Sequence, residues 1–262
     1  MKVITLLTDF GLKDTYVAQM KGVILEITRD VHIVDLSHDI IPQNVMEGAF
    51  LLYTAVPYFP RGSIHVAVVD PGVGTKRKAI IIETPVCFLV GPDNGILIPS
   101  AKLYKDFKVY EIKKDICRQS ISSTFHARDV FAPAAALLAK GCSPEDIGKR
   151  IESFVDMDIE FGRKVGDRIV GKIMHIDGFG NLITNVRGET ILKEKDFGSV
   201  LQLNLENKTY GARFLKSYGF GEEKELLLTI GGSGFLEISV NRGNASELLG
   251  AKVGDEIFID LY

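Results

Sequence analysis

Cysteine is scarce in this 262-residue chain. There are three, Cys87, Cys117 and Cys142, odd in number and far apart. That excludes a disulfide framework and any zinc-binding spacing, and makes a reducing compartment the simpler expectation. An excess of basic charge is also lacking: 31 Lys and Arg stand against 34 Asp and Glu. No basic face results, so nucleic acid is not an expected partner. No apolar run reaches the roughly 20 residues of a membrane span. The apolar opening Val3 to Leu7 is cut by Asp9, too early for a secretory signal. The expectation is a soluble, cytoplasmic protein without a membrane partner. No G-x-G-x-x-G or Walker loop follows the first strand, which weakens the case for NAD or ATP. Metal spacings such as H-x-H or H-x-x-E-H are missing too.

What is present is apolar sequence, 46% of the chain, enough for real cores in one large domain or two small ones. Val3–Thr8, Val31–Leu36 and Ser63–Val69 read as buried strands. Between them lie helical patterns. One runs through Val17, Met20, Val23, Ile24 and Ile27, capped by Asp14 or Thr15. The other holds Val45, Ala49, Leu52 and Tyr53, with Pro42 in its first turn. Strand–helix–strand–helix–strand is the pattern of a parallel sheet with right-handed crossovers. Val86–Val90 reads as a further buried strand and Val109–Ile112 as an edge strand. An Ala-rich helix follows from Val130 to Lys140, with Asp129 as its cap. From Phe154 to Gly166 the helical period stops. Short β-type runs separated by Gly- and Asn-rich turns then predict a small all-β domain, a barrel. The expected architecture is α/β: a Rossmann-like parallel-sheet domain over 1–155 and an all-β barrel over 165–262.

Asp70-Pro71-Gly72-Val73-Gly74-Thr75-Lys76-Arg77 stands at the carboxyl end of the third strand. Ligands bind at that rim in open α/β sheets, and glycines there let backbone approach a ligand. One turn thus offers a carboxylate and a guanidinium together. The same reading collects other polar residues just after strands: Asp9, His38 or Asp39, Asn94 and His126. Asp9, at the first strand end, suits a ribose diol. Two chemistries fit this set. Asp9, His38, Asp39, Asp70 and His126 could gather a divalent metal for hydrolysis of a nucleotide phosphoester. Alternatively, Asp70, Arg77 and His126 form a metal-free cluster that orients a water. A simpler reading makes His126 a helix cap and Asp70 a turn residue.

Six ordered motifs run nearly end to end: Thr8–Gly22, Val69–Gly74 with Arg77, Gly91–Gly95, Phe125–Asp129, Gly178–Asn181 and Asn241–Ala245. Together they resemble the S-adenosylmethionine (SAM) hydrolases. These are also called SAM hydroxide adenosyltransferases and are relatives of fluorinase and chlorinase. The resemblance implies that water or hydroxide attacks the ribose 5′ carbon of SAM, releasing L-methionine and forming adenosine, with SAM as substrate and no cofactor or metal. It implies a homotrimer that holds SAM between the amino-terminal domain of one subunit and the carboxyl-terminal domain of the next. It places the water-handling set on Asp70, Arg77 and His126, and the ribose aspartate on Asp9. It places the methionine end on Asp14, Asp177, Asn181 and Ser233, and the adenine edge on backbone around Arg242 to Asn244. Ala127 departs from the glycine common at that position in the hydrolases and from the serine of fluorinase. A SAM- or adenosine-binding module without turnover is the remaining alternative.

The chemistry suits such a set. The sulfonium is already a good leaving group, so the demand falls on the nucleophile. Water must approach in line with the C–S bond at roughly 3–3.5 Å. Asp70 can accept its proton, although a neighbouring cation makes a carboxylate a poorer base. Arg77 could instead polarise the water, and His126 could orient either or receive the proton. A halide nucleophile fits poorly, because the Asp70 carboxylate would repel an anion by several kcal/mol at low local dielectric.

Overall fold

Buried aliphatic residues on both faces mark most strands of the amino-terminal sheet. The structure is a computed structural model describing residues 1–117 and 120–262. Its contacts divide the chain into two units, Met1–Asp158 and Ile159–Tyr262. In the first, the strands are β1 (Lys2–Thr8), β2 (Val31–Ser37), β3 (Ile64–Val68), β4 (Ala79–Glu83), β5 (Phe88–Pro92), β6 (Lys108–Ile112) and β7 (Gly148–Ile151). They form one sheet in the order β2-β1-β3-β5-β4-β6-β7. β2, β1, β3 and β5 pair in parallel, as the crossover pattern predicts, whereas β4, β6 and β7 extend the sheet antiparallel. β6 is not the expected edge strand, because β7 pairs along its outer side.

Side chains of period two separate the sheet's faces. Ile4, Leu6, Val66 and Val68 pack with Val17, Met20 and Ile24 of helix α1 (Tyr16–Ile27) and with the Ala-rich helix. Leu7, Ala67, Val69 and Leu89 pack with Ala49 and Leu52 of helix α2 (Val45–Ala55). This is a three-layer α/β/α unit. Pro42 lies ahead of α2 rather than in its first turn. Asn44 caps the helix, its side chain accepting from the Glu47 N–H. The short α3 spans Ile98–Ala101. The Ala-rich helix α4 (Ala132–Ala139) carries Pro133 in its first turn and is preceded by a π-helical turn, Ala127–Phe131. Asp129 therefore lies inside that turn and is not the cap expected for it. Ser143 and Asp146 form a capping box on α5 (Pro144–Ile147).

The second unit is a barrel. Its strands are β8 (Arg163–Val165), β9 (Arg168–Ile176), β10 (Leu182–Arg187), β11 (Val200–Leu205), β12 (Lys208–Phe214), β13 (Leu226–Ile230), β14 (Phe235–Val240) and β15 (Glu256–Asp260). The order β10-β14-β13-β12-β11-β15-β9 closes through a β9–β10 pairing, and β8 adds to β9 outside the ring. Closure removes the free edges that a flat sheet would expose. Leu182, Val186, Leu203, Phe214, Leu236, Ile238 and Ile257 fill its core. Short helices α6 (Gly188–Leu192) and α7 (Ala245–Leu249) lie in its connections. Among the described residues, no helix is long and apolar enough to cross a membrane.

One polar pair sits inside the first unit. His65 on β3 faces Thr5 on β1, and His65 Nδ1 lies 2.8 Å from Thr5 Oγ1. Both are fully buried. Burial lowers the imidazole from 6.5 to about 4. The folded chain therefore holds His65 neutral while the unfolded chain protonates it below 6.5, so stability falls as pH drops from 6.5 towards 4. The loss through this group amounts to about 3 kcal/mol. Urea unfolding of wild type and His65→Leu across that window is expected to show a shallower pH slope in the variant. Equal slopes would remove His65 from the acid sensitivity.

Candidate active site

β1 and β3 end in register, Thr8 opposite Val68. Asp9 directly follows β1 and Asp70 lies two residues beyond the end of β3, so both stand on the rim at the carboxyl ends of the parallel strands, where ligands bind in such sheets. They line one cleft of about 420 Å³ together with Phe10, Tyr16, Gln43, Phe125 and His126. The rings of Phe10, Tyr16 and Phe125 meet edge to face, with centroids 5.2–6.0 Å apart, and give the cleft an aromatic wall.

The turn after β3 folds back tightly. The Val73 N–H donates to the Asp70 carbonyl, and the Thr75 N–H to the Gly72 carbonyl. Gly74 has φ +76°, and a Cβ there would overlap the Ser123 carbonyl oxygen. Glycine is thus required for the turn to lie against the 122–127 loop that carries His126. That loop is closed by Asp129, whose fully buried carboxylate accepts from the Ser122 N–H at 2.8 Å and from Arg128 Nε at 2.7 Å. The π-helical turn that begins at Ala127 directly follows His126. Such turns recur at functional positions in helices.

Arg77 joins the two segments. Its Nε donates to both Asp70 oxygens at 3.0 and 3.1 Å, and Nη2 donates to Asp70 Oδ2 at 2.5 Å. Nη2 also donates to His126 Nδ1 at 2.9 Å. Nη1 donates to the Lys78 carbonyl, and the guanidinium carbon lies 5.1 Å from the Phe131 ring centroid. The Asp70 and Arg77 side chains are only 5% and 10% exposed. A guanidinium has five N–H donors and no acceptor. Four are engaged here, so Arg77 acts as a brace between Asp70 and His126. Because arginine can only donate, His126 Nδ1 must accept, and a neutral ring then carries its proton on Nε2. Burial, reinforced by the Arg77 charge, holds the His126 imidazolium below its usual range, partly opposed by Asp70 and Asp129.

The other rim residues separate. The Gln43 N–H donates to Asp9 Oδ2 at 2.9 Å. His38 is buried away from the cleft, with Nδ1 2.8 Å from Thr8 Oγ1 and Nε2 3.1 Å from Asp35 Oδ1. Asp39 is exposed. Asn94 donates to the Val69 carbonyl and accepts from the Ile96 N–H, which makes it a turn residue. Asp14 is exposed and does not line the cleft. Among the described residues, no three His, Cys, Asp or Glu side chains stand together as a set able to hold a metal ion.

In the barrel unit, Asp177 and Asn181 come together. Asp177 Oδ1 accepts from the Phe179 and Asn181 N–H groups, and Oδ2 accepts from Asn181 Nδ2 at 2.9 Å. Gly180 (φ +82°) packs against Asn244, where any Cβ would overlap the side-chain amide. Asn244 in turn caps α7 through the Glu247 N–H. Arg242 holds φ +54°, and its carbonyl accepts from Lys224 Nζ. Ser233 is exposed in the turn between β13 and β14. Sequence reasoning missed Glu237 and Tyr218. The Tyr218 hydroxyl donates to the buried Glu237 carboxyl. Burial and the nearby Asp177 charge push Glu237 up, while the Tyr218 hydrogen bond opposes this. No spacing signal links residues 218 and 237: Tyr218 opens a short helical turn ahead of β13, and Glu237 lies in the middle of β14.

The SAM hydroxide adenosyltransferase N-terminal domain matches residues 4–148, and the corresponding C-terminal domain matches residues 171–258. The chain is 39% identical to an (R)-S-adenosyl-L-methionine hydrolase of Methanocaldococcus jannaschii, covering 99% of this chain and 96% of that one. It is 27% identical to a fluorinase of Nocardia brasiliensis, covering 78% of each. A crystal structure of an uncharacterized conserved protein from Thermotoga maritima superposes with a TM-score of 0.94 at 38% identity, covering 98% of this chain and 99% of that one.

The hydrogen-bond pattern makes a spectroscopic prediction. Nitrogen-15 NMR is expected to show His126 as the Nε2–H tautomer, with a titration midpoint below 6.5. Arg77→Gln removes a charge that lowers it and should move the midpoint upward. An unchanged midpoint would contradict the arrangement.

Proposed function

The chain belongs to the SAM hydroxide adenosyltransferase family, and from that premise we propose that it hydrolyses S-adenosyl-L-methionine to adenosine and L-methionine. The observation that carries the reading is the Arg77 brace, which presents the Asp70 carboxylate and the His126 ring to one cleft at the strand ends.

In the proposed reaction a water sits between Asp70 and His126. His126 Nε2–H donates to the water oxygen and fixes its position. A remaining Asp70 lone pair accepts one water proton. The oxygen attacks the 5′ carbon in line with the departing sulfur. The new C–O bond forms as the C–S bond breaks, and its electron pair returns to sulfur, giving the neutral thioether of methionine. The water proton passes to Asp70 and then to solvent. With four of its five donors already committed, Arg77 acts chiefly by position. It holds the two groups at a fixed separation, so little reorganisation accompanies reaction.

Asp9 takes the ribose diol as a two-oxygen acceptor. Asp14, Asp177, Asn181 and Ser233 are assigned to the methionine end and the Arg242–Asn244 backbone to the adenine edge. The family resemblance supports these assignments, together with the Asp177–Asn181 pairing and the Gly180–Asn244 packing. The same resemblance supports a cytoplasmic homotrimer without a metal or cofactor, which makes the active site from two copies.

Purified protein incubated with SAM should yield adenosine and methionine in equal amounts, resolved by chromatography, with the same rate in EDTA. Loss of SAM turnover in EDTA would contradict a metal-free reaction, and EDTA-sensitive phosphate release from a nucleotide with no adenosine formed from SAM would favour a metal-dependent phosphoesterase. Binding without adenosine would favour a non-catalytic module. Asp70→Ala should lower kcat by about 10²–10⁴-fold while SAM binding persists, whereas Asp9→Ala should act mainly on KM. The pH profile follows from His126. A second ring proton would have to enter at Nδ1, against the Arg77 donor, and would break the brace. Activity should therefore fall on the acid side with a midpoint below 6.5, and stay level as pH rises from there. An acid limb centred above 6.5 would exclude His126 as its source.

A further inference from the structure

Gln43 occupies an uncommon backbone conformation beside the cleft. Its φ is +68°, a left-handed region that side-chain-bearing residues rarely adopt and that costs free energy unless the surroundings enforce it. The enforcing contacts are visible on both sides. Ahead of it, the Ile41 N–H donates to Glu47 Oε2 at 2.9 Å, and Glu47 is 2% exposed. Behind it, the Val45 N–H donates to the Gln43 carbonyl, the Asn44 N–H to the Ile41 carbonyl, and the Asn44 side chain caps α2. The segment is thus pinned at one end by a buried carboxylate and at the other by a helix start. What the left-handed turn achieves is single and specific. It aims the Gln43 N–H at Asp9 Oδ2, at 2.9 Å.

We propose that Gln43 is a positioning residue whose strained backbone orients the Asp9 carboxylate for recognition of a 2′,3′-diol, so that the strap 41–44 sets the chain's preference for ribonucleosides over sugars lacking those hydroxyls. The inference rests on the reading of Asp9 as the ribose acceptor. A carboxylate that receives one backbone N–H on Oδ2 is fixed in rotation. Among the described residues, Asp9 Oδ1 receives no hydrogen bond, so it can meet one hydroxyl while the second lone pair of Oδ2 meets the other. Without the N–H, the carboxylate rotates freely about its last torsion, and the paired acceptance is lost. The Gln43 side chain is not what does this. The function belongs to the peptide group and to the φ that places it.

Two substitutions separate backbone from side chain. Gln43→Gly removes the side chain and adopts φ +68° without strain. Gln43→Val also removes it, but a β-branched residue strongly resists that conformation. The readout is the ratio of dissociation constants for 2′,3′-dideoxyadenosine and adenosine, measured by calorimetry on the full chain. Two hydrogen bonds to a charged acceptor predict a ratio on the order of 10²–10⁴ in wild type. Gln43→Gly should keep that ratio and Gln43→Val should reduce it several-fold, with dideoxyadenosine affinity unchanged in both. The unchanged dideoxyadenosine affinity also shows that each variant is folded. A Gln43→Val protein with the wild-type ratio, or a Gln43→Gly protein that loses it, would overturn the proposal. Asp9→Ala measured alongside separates the two layers. If Asp9→Ala keeps the wild-type ratio, Asp9 is not the diol acceptor and the proposal falls with that reading. If Asp9→Ala abolishes the ratio while Gln43→Val does not, the reading of Asp9 stands and only the role of Gln43 fails.

Discussion

The Arg77 guanidinium, with its donors divided between Asp70 and His126, is the contact on which the rest of the site depends. A buried ion pair is not in itself a strong source of stability, since desolvation offsets most of its Coulomb attraction, but removing one partner strands the other. Here the pair has a geometric consequence. Asp70 leaves the end of β3, and His126 leads into the π-helical turn before α4. These segments are 56 residues apart in sequence, and Arg77 is the polar link between them. Gly74 lets the Asp70 turn lie against Ser123, and Asp129 closes the loop from the other side. Packing brings the segments close, and the guanidinium then sets the distance and orientation of the two groups facing the cleft.

That arrangement limits the chemistry. Arg77 donation to Nδ1 leaves His126 a donor at Nε2, and the Asp70 carboxylate remains an acceptor. A donor and an acceptor side by side suit water, which needs both. They suit a halide poorly, because the carboxylate repels an anion in a site of low dielectric. The 27% identity to a fluorinase over 78% of the chain is consistent with one scaffold hosting more than one reaction.

Much of this was legible in the sequence, for identifiable reasons. Strands buried on two faces read as continuous aliphatic runs, so Ser63–Val69 and the carboxylate at its end could be placed without coordinates. The closed barrel was readable from turn spacing. The resemblance brought Asp70, Arg77 and His126 together, and the coordinates then supplied the bonding between them. Other features left no local trace. β7 is too short and too mixed to announce that it covers β6, so β6 was read as an edge. Helix α4 is preceded by a π turn, a departure that hydrophobic periodicity cannot register, so the sequence points to Asp129 as a cap whereas it closes the 122–127 loop. His38 resembled a rim ligand because it follows β2, yet its ring turns inward to Thr8. Gln43 was invisible because its contribution lies in a backbone angle, and glutamine carries no signal of left-handed conformation.

The central claim is that the Asp70–Arg77–His126 corner delivers a water oxygen to the 5′ carbon of SAM. Turnover in oxygen-18 water followed by mass spectrometry of both products tests it directly. The account predicts one heavy oxygen in adenosine, at the 5′ position, and none in methionine. Heavy oxygen in homoserine beside unlabelled methylthioadenosine, or adenosine formed without label, would contradict it.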